Sequence, residues 1–233
     1  MKRAVLLLIL VSVIAIGGCV EVVDEGAPFE PAPADGEEVD DASATDQSDR
    51  DDQVGPDERD VETLEDVEPI DESDDISRAE IEVLVHEYVN EERVSHGLSP
   101  LSFDDDLATI ARYHSNRMVT EDFVAHVAPD GQTPQDRYER FDYRCRVDTG
   151  EGSYLLGAEN IAVTYYDERV ATANDVERYE NEDELARAVV DGWMNSEGHR
   201  ENLLTPEWEN EGIGVAIVEE DGITAVYVTQ KFC

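Results

Sequence analysis

Residues 20–76 carry 24 Asp and Glu against two Arg, with Phe29 as their single aromatic residue and no sustained apolar period. Such a segment cannot bury enough apolar surface to offset the entropy of ordering it. Any core therefore has to be built by residues 77–233. The long segment reads as a disordered acidic linker that charge repulsion extends at low salt. A calcium-binding tail is the competing reading, but its acidic residues lack the ligand order of an EF-hand loop.

What precedes the linker is an export signal. Met1-Lys2-Arg3 gives a basic start, and Ala4 to Ile16 form an almost unbroken apolar run. That run is short for a membrane span and suits a signal peptide. It ends in Ile16-Gly17-Gly18-Cys19. Small residues before a cysteine at that place resemble the lipobox of secreted lipoproteins, so 1–19 is expected to be a signal peptide with Cys19 as the lipidation site. A simple cleaved signal with an incidental cysteine is the alternative. One lipid chain holds a protein weakly, so stable anchoring needs two or more.

The acidity is not confined to the linker. The whole chain has a formal charge of -41, and residues 77–233 alone carry 34 acidic against 13 basic residues. Such self-repulsion opposes compaction at low salt. At about 1 M salt the Debye length is about 3 Å and the repulsion is largely screened. Lysine occurs only at Lys2 and Lys231. Both features fit a protein adapted to molar salt. Nucleic acid is excluded as a partner, because the basic patches it requires are missing.

Within 77–233 the apolar spacing predicts helices interleaved with a few strands. Ser77 and Glu80 form a capping-box pattern before Ile81, Leu84, Val85, Tyr88 and Val89 at helical spacing, with Gly97 as the stop. Asp104 caps a second helix with Leu107, Ile110, Ala111, His114 and Met118 on one face. Asp130-Gly131 marks a turn, 155–163 reads as a strand, and 164–180 as a polar excursion. Asn181 and Glu184 open a third helix that turns Leu185, Ala188, Val189, Gly192 and Trp193 inward. Strands at 212–218 and 223–231 join at Asp221-Gly222. The expected class is α+β, a helix–sheet–helix sandwich. Cys145 and Cys233 form a disulfide or remain two free thiols; outside the cell the bridge is favoured.

Five stretches then stand out: HSNRM at 114–118, FVAH at 123–126, GAENI at 157–161, WMNSEGHRENL at 193–203 and GIGVA at 212–216. In this order and spacing they resemble the CAP superfamily of cysteine-rich secretory, antigen 5 and pathogenesis-related proteins, also called the SCP domain, in its prokaryotic branch. The resemblance implies an α-β-α sandwich over about 80–233. It also implies a cleft lined by two histidines and two glutamates. Matched motif by motif, these are His126, Glu159 and His199. The fourth position, three residues after the tryptophan, is Ser196, with Glu197 beside it.

Two neutral imidazoles and a carboxylate suit zinc, with a coordination site left for water. His126, Glu159 and His199 are therefore the candidate metal ligands, with Ser196 and Glu197 as further binding candidates. For Glu159 a buried hydrogen-bonded network is an equal alternative. His114 reads as a satisfied core histidine, and His86 and His96 as surface residues. Asn160 and Asn202 are expected to tie loops through backbone hydrogen bonds. Ser196 is expected to cap a short helix beginning near His199 rather than to act as a nucleophile, since no GxSxG elbow accompanies it.

Three functions follow. The first is a non-catalytic, extracellular, membrane-anchored binding module for a small ligand, lipid, metal ion, glycan or surface protein. The second is a metal-assisted hydrolase, and the third a structural or adhesive surface protein. Binding is the favoured expectation, because Ser196 replaces a glutamate and no separate general base is evident.

Overall fold

The computed structural model describes residues 22–24, 67–71, 73–150, 152–172 and 176–233. The expected signal peptide, Cys19 and most of the expected linker lie outside the described residues. In chain order the elements are β1 (Val22–Asp24), α1 (Arg78–Ser95), β2 (Ser102–Phe103), α2 (Asp105–Thr120), α3 (Pro134–Arg140), β3 (Val147–Gly150), β4 (Ser153–Leu155), β5 (Ala158–Tyr166), β6 (Arg169–Ala171), β7 (Val176–Arg178), α4 (Glu182–Asn195), α5 (Glu197–Leu203), β8 (Asn210–Glu220) and β9 (Ile223–Phe232). The central sheet has the order β2-β8-β9-β5. Helices α1 and α4 cover one face and α2 the other, so the expected α+β sandwich is present. No helix among the described residues is long and apolar enough to cross a membrane.

The local signals explain most helix ends. Ser77, Asp104, Thr133 and Asn181 each accept a backbone N–H from the first turn that follows. The box at Ser77 closes differently from the expected one. Glu182 of α4, not Glu80, takes the Ser77 N–H at 2.8 Å, so this cap joins two helices. Helix α3, with its Thr133–Asp136 box and Pro134 at the start, was not expected from the sequence, because seven residues are too few to show a period. On α4, Leu185, Ala186, Val189, Val190 and Trp193 are buried while Gly192 is exposed. The inward face is thus rotated from the one the pattern suggested.

The strands also shift. The expected 155–163 strand is split by positive-φ Gly157 into β4 and β5. The polar excursion begins as the continuation of β5 and then forms the small β6–β7 pair. Asp221 and Gly222, at φ 53° and 79°, make the tight turn between β8 and β9, the conformation a two-residue hairpin favours.

The two glycines of GIGVA have a packing role. A Cβ on Gly212 would lie 2.1 Å from the backbone nitrogen of Ala108, and one on Gly214 2.0 Å from that of Arg112. Helix α2 therefore rests its backbone directly on β8. Ser115 uses the close approach to donate to the Gly214 carbonyl at 2.8 Å.

Strand β2 pairs with β8 only at Asn210 and Glu211, leaving the remaining outer edge to be satisfied otherwise. The Val215 N–H donates to the buried carboxylate of Glu82, which Arg78 and Arg112 neutralise. The Ile217 N–H donates to the Ile70 carbonyl, and the Asn116 side chain holds Ile70 and Glu68. Two short pieces of the expected linker thus lie against the domain: 67–71 here, and β1 paired with β4. An edge strand's unpaired amides provide the reason, since an extended backbone satisfies them. Cys145 and Cys233 form the expected disulfide, 88 residues apart. It closes a loop whose removal from the unfolded ensemble is worth about 4 kcal/mol, and it pins the end of β9.

Candidate functional site

The site is organised by two neighbouring cross-strand pairs. On β5 and β9, Glu159 faces Lys231 and Asn160 faces Gln230. Because side chains alternate along a strand, the two pairs point to opposite faces of the sheet. Strand β5 is an edge of that sheet, and the two layers meet beside it.

On the α2 and α3 side, the chain leaves α2 through Asp122 at φ 52° and enters the loop that carries His126. His126 Nδ1 donates to Glu159 Oε1 at 2.9 Å. Arg137 of α3 grips both carboxylate oxygens, with Nη2 at 2.7 and 2.8 Å and Nε at 3.2 Å, and Nη2 also donates to the His126 carbonyl at 2.7 Å. Lys231 Nζ lies 2.6 Å from Glu159 Oε2. His114 Nε2 donates to the Ala125 carbonyl at 3.1 Å and lies 3.7 Å from Glu159 Oε1, while its Nδ1 has no partner. The expected core histidine is therefore satisfied at one nitrogen only.

Burial alone would raise the Glu159 carboxyl. Arg137, Lys231, His114 and the His126 hydrogen bond outweigh it and hold the group well below the usual carboxylate range. Burial lowers Lys231, although Glu159, 2.6 Å away, opposes the change. Burial likewise takes His114 down to about 3. Near pH 7 Glu159 is thus an anion and His114 a neutral ring.

On the other side, His199 sits in α5, which begins at Ser196. Its carbonyl accepts from Asn160 Nδ2 at 3.2 Å. Asn202, one turn further, donates to the Glu159 carbonyl and to Asn160 Oδ1. Asn160 then donates to Gln230 Oε1, Gln230 to Glu211 Oε2, and His86 Nδ1 to Glu211 Oε1. Each amide orientation is fixed by the next link. Asn160 and Asn202 tie the loops as expected. His86 does not behave as the expected surface residue, since it is half-buried against Glu211 and edge-on to Phe103. His96 is exposed, as expected.

The two arms bring the His126 and His199 rings to a centroid separation of 6.0 Å. Each residue is about 5% exposed, and each Nε2 is buried without a hydrogen-bond partner. Burial, reinforced by neighbouring His126, lowers His199 to about 4, so that ring is neutral near pH 7.

The candidate residues thus divide. His126 and His199 come together. Glu159 lies behind His126 with both oxygens engaged, the arrangement of the buried hydrogen-bonded network that was the equal alternative to a metal ligand. Ser196 is buried at the α4–α5 junction but makes no side-chain cap bond, contrary to expectation. Glu197 is exposed in the first turn of α5 and does not replace the missing glutamate at the rings. Among the described residues, no group of three or more His, Cys, Asp and Glu is placed to hold a metal ion. Two surface depressions of about 320 and 300 Å³ lie elsewhere, one beside Tyr179 and the other beside Tyr143.

Sequence reasoning missed Arg137, Lys231, Gln230 and Glu211. Lys231 had a signal, as the only lysine of residues 77–233 in a sequence that otherwise uses Arg. Arg137 had none, because it lies among other arginines on a helix that was not anticipated.

The family model described as the cysteine-rich secretory protein family, CAP, matches residues 86–232. Two Bacillus subtilis proteins, the uncharacterized protein YkwD and the uncharacterized membrane protein YlbC, are each 32% identical, over 148 and 123 residues. Those matches cover 64% and 53% of this chain but 45% and 28% of the relatives, so the chain spans less than half the length of either. Among solved structures, an extracellular SCP-domain protein of Bacillus anthracis aligns at 27% identity and TM-score 0.46, covering 66% of this chain and 40% of the other. An outer surface protein of Borrelia burgdorferi aligns at 18% identity and TM-score 0.46, covering 67% and 95%. With the family model spanning more than half of its residues, the chain belongs to the CAP, or cysteine-rich secretory protein, family.

Proposed function

We propose that this is an exported binding module, held to a membrane through Cys19 and working in molar salt, whose His126–His199 pair takes a divalent metal ion such as zinc. The observation that carries the reading is the pair of buried, partnerless Nε2 atoms on neighbouring rings, whose centroids lie 6.0 Å apart. A buried polar atom without a partner is costly, and neutral imidazole nitrogens are zinc ligands. His126 has the outer carboxylate that metal-bound histidines commonly have. A bound zinc would supply Lewis acidity and open coordination positions for water or a small ligand. The hydrolase reading is weaker, because Glu159 has no free oxygen to act as a base and Glu197 is exposed. The export signal, the cysteine after it and the disulfide support an extracellular location, as do names such as that of the B. anthracis protein.

Zinc calorimetry on the mature chain in molar salt tests this, with His126→Ala and His199→Ala beside it. Saturable binding lost in both variants is the expected result. No binding by a folded wild-type protein would leave a docking or structural role. For the anchor, Cys19→Ala should move the protein from the membrane fraction to the medium.

A further inference from the structure

The cluster behind His126 holds more positive charge than its stability requires. One carboxylate, Glu159, is already neutralised by Arg137 through a forked contact. Lys231 is a second cation on the same carboxylate, fully buried, with Pro134 O at 3.3 Å and the Tyr138 ring 4.6 Å away. An interior ion that is not needed for charge balance carries a desolvation penalty. What the second cation adds is geometric. Arg137 and Lys231 occupy Glu159 Oε2, leaving Oε1 for His126 Nδ1 alongside Arg137 Nη2. Arg137 also fixes the His126 carbonyl, so the ring and the backbone of one residue are held from the same guanidinium.

We propose that Arg137 and Lys231 are the positioning residues of the histidine pair: they fix Glu159 as the acceptor for His126 Nδ1–H, so that Nε2 keeps its lone pair, and they keep Glu159 from turning to coordinate the metal itself. This rests on the zinc-binding reading for its purpose, but not for its geometry. The tautomer follows from the carboxylate, because an anion accepts and the nitrogen beside it must carry the hydrogen. The donor set therefore stays at two imidazoles, and the remaining metal coordination is left to water or to an incoming ligand.

The test uses the mature chain in molar salt. Lys231→Met keeps most of the side-chain volume and leaves the Arg137–Glu159 pair neutral. Nitrogen-15 spectra of the histidines, recorded on metal-free protein at about pH 8, above the ordinary imidazole range, report the tautomer directly. Wild-type His126 should show the Nδ1–H form alone. Lys231→Met and Arg137→Lys should each show a mixture, and zinc affinity should fall by about 10- to 100-fold, as for other outer-shell changes. A merely structural pair would not produce these changes in a protein that stays folded. A folded Lys231→Met with the same tautomer and the same affinity overturns the proposal. If the wild-type protein binds no zinc, the functional reading fails, yet the tautomer spectra still decide the positioning role. If Lys231→Met does not fold, Arg137→Lys decides it, and an unchanged His126 tautomer in that variant overturns the proposal.

Discussion

Glu159 and Asn160 are neighbours on one strand, yet they hold the two halves of the site by opposite means. Glu159 sits in an ionic cage with Arg137 and Lys231, which fixes a side chain: the His126 ring. Asn160 belongs to a chain of amides ending at Glu211, which fixes a backbone carbonyl, that of His199. Charge is strong but demands near-complete compensation once buried. A neutral amide relay is weaker per link and passes orientation from one group to the next. The ring with an orienting acceptor is therefore on the ionic arm, while the ring on the amide arm is positioned through the helix that carries it.

This contrast can be broken first at Glu159. Glu159→Leu strands two buried cations, and denaturation in molar salt should show a loss of about 3–5 kcal/mol, the usual result of removing one partner of a buried pair. A loss below that range would mean that water already reaches the cage. Asn160→Ala leaves several polar groups unsatisfied but no charge, and should cost about 1–3 kcal/mol. A cost equal to that of Glu159→Leu would erase the distinction between the arms. Salt sharpens it further. The whole chain, at a charge of -41, should gain stability as salt rises. The difference between wild type and Glu159→Leu should barely change with salt, because a buried pair is little screened; a strongly salt-dependent difference would place the cage in solvent.

A further test lies in the pH profile. The His199 value lies near 4 in the folded chain against 6.5 for a free ring, and that of His114 near 3. Below about 6.5 the unfolded chain takes up protons that the folded rings refuse, so stability should fall as pH drops from about 6.5 toward 4. His199→Gln should flatten that slope in part, and His114→Gln should do so further toward acid. An unchanged slope in both would assign the acid lability to the carboxylates alone.

The fold was largely legible in the sequence because its signals are local. Asp104, Asn181 and Asp221-Gly222 sit where caps and a hairpin turn must be. The apolar spacing of α2 named its buried face correctly from Leu107 to Met118. The misses have physical reasons too. Helix α3 is too short for a period, and the inward face of α4 is set by what packs on it. For the site, the resemblance brought out His126, Glu159 and His199, but not their division of labour. Nothing near Glu159 in the sequence shows that its carboxylate is already engaged, because the groups that engage it lie 22 and 72 positions away.

By itself the sequence determined the export signal pattern, the acidic character and the α+β class. These follow from composition, period and spacing, which are properties of neighbours along the chain. The tertiary structure alone decided that both oxygens of Glu159 are engaged by His126, Arg137 and Lys231, that Glu197 stays in solvent, and that Lys231 lies in the interior. A buried charge must be compensated, and which charges compensate it depends on distances across the sheet that no local pattern encodes.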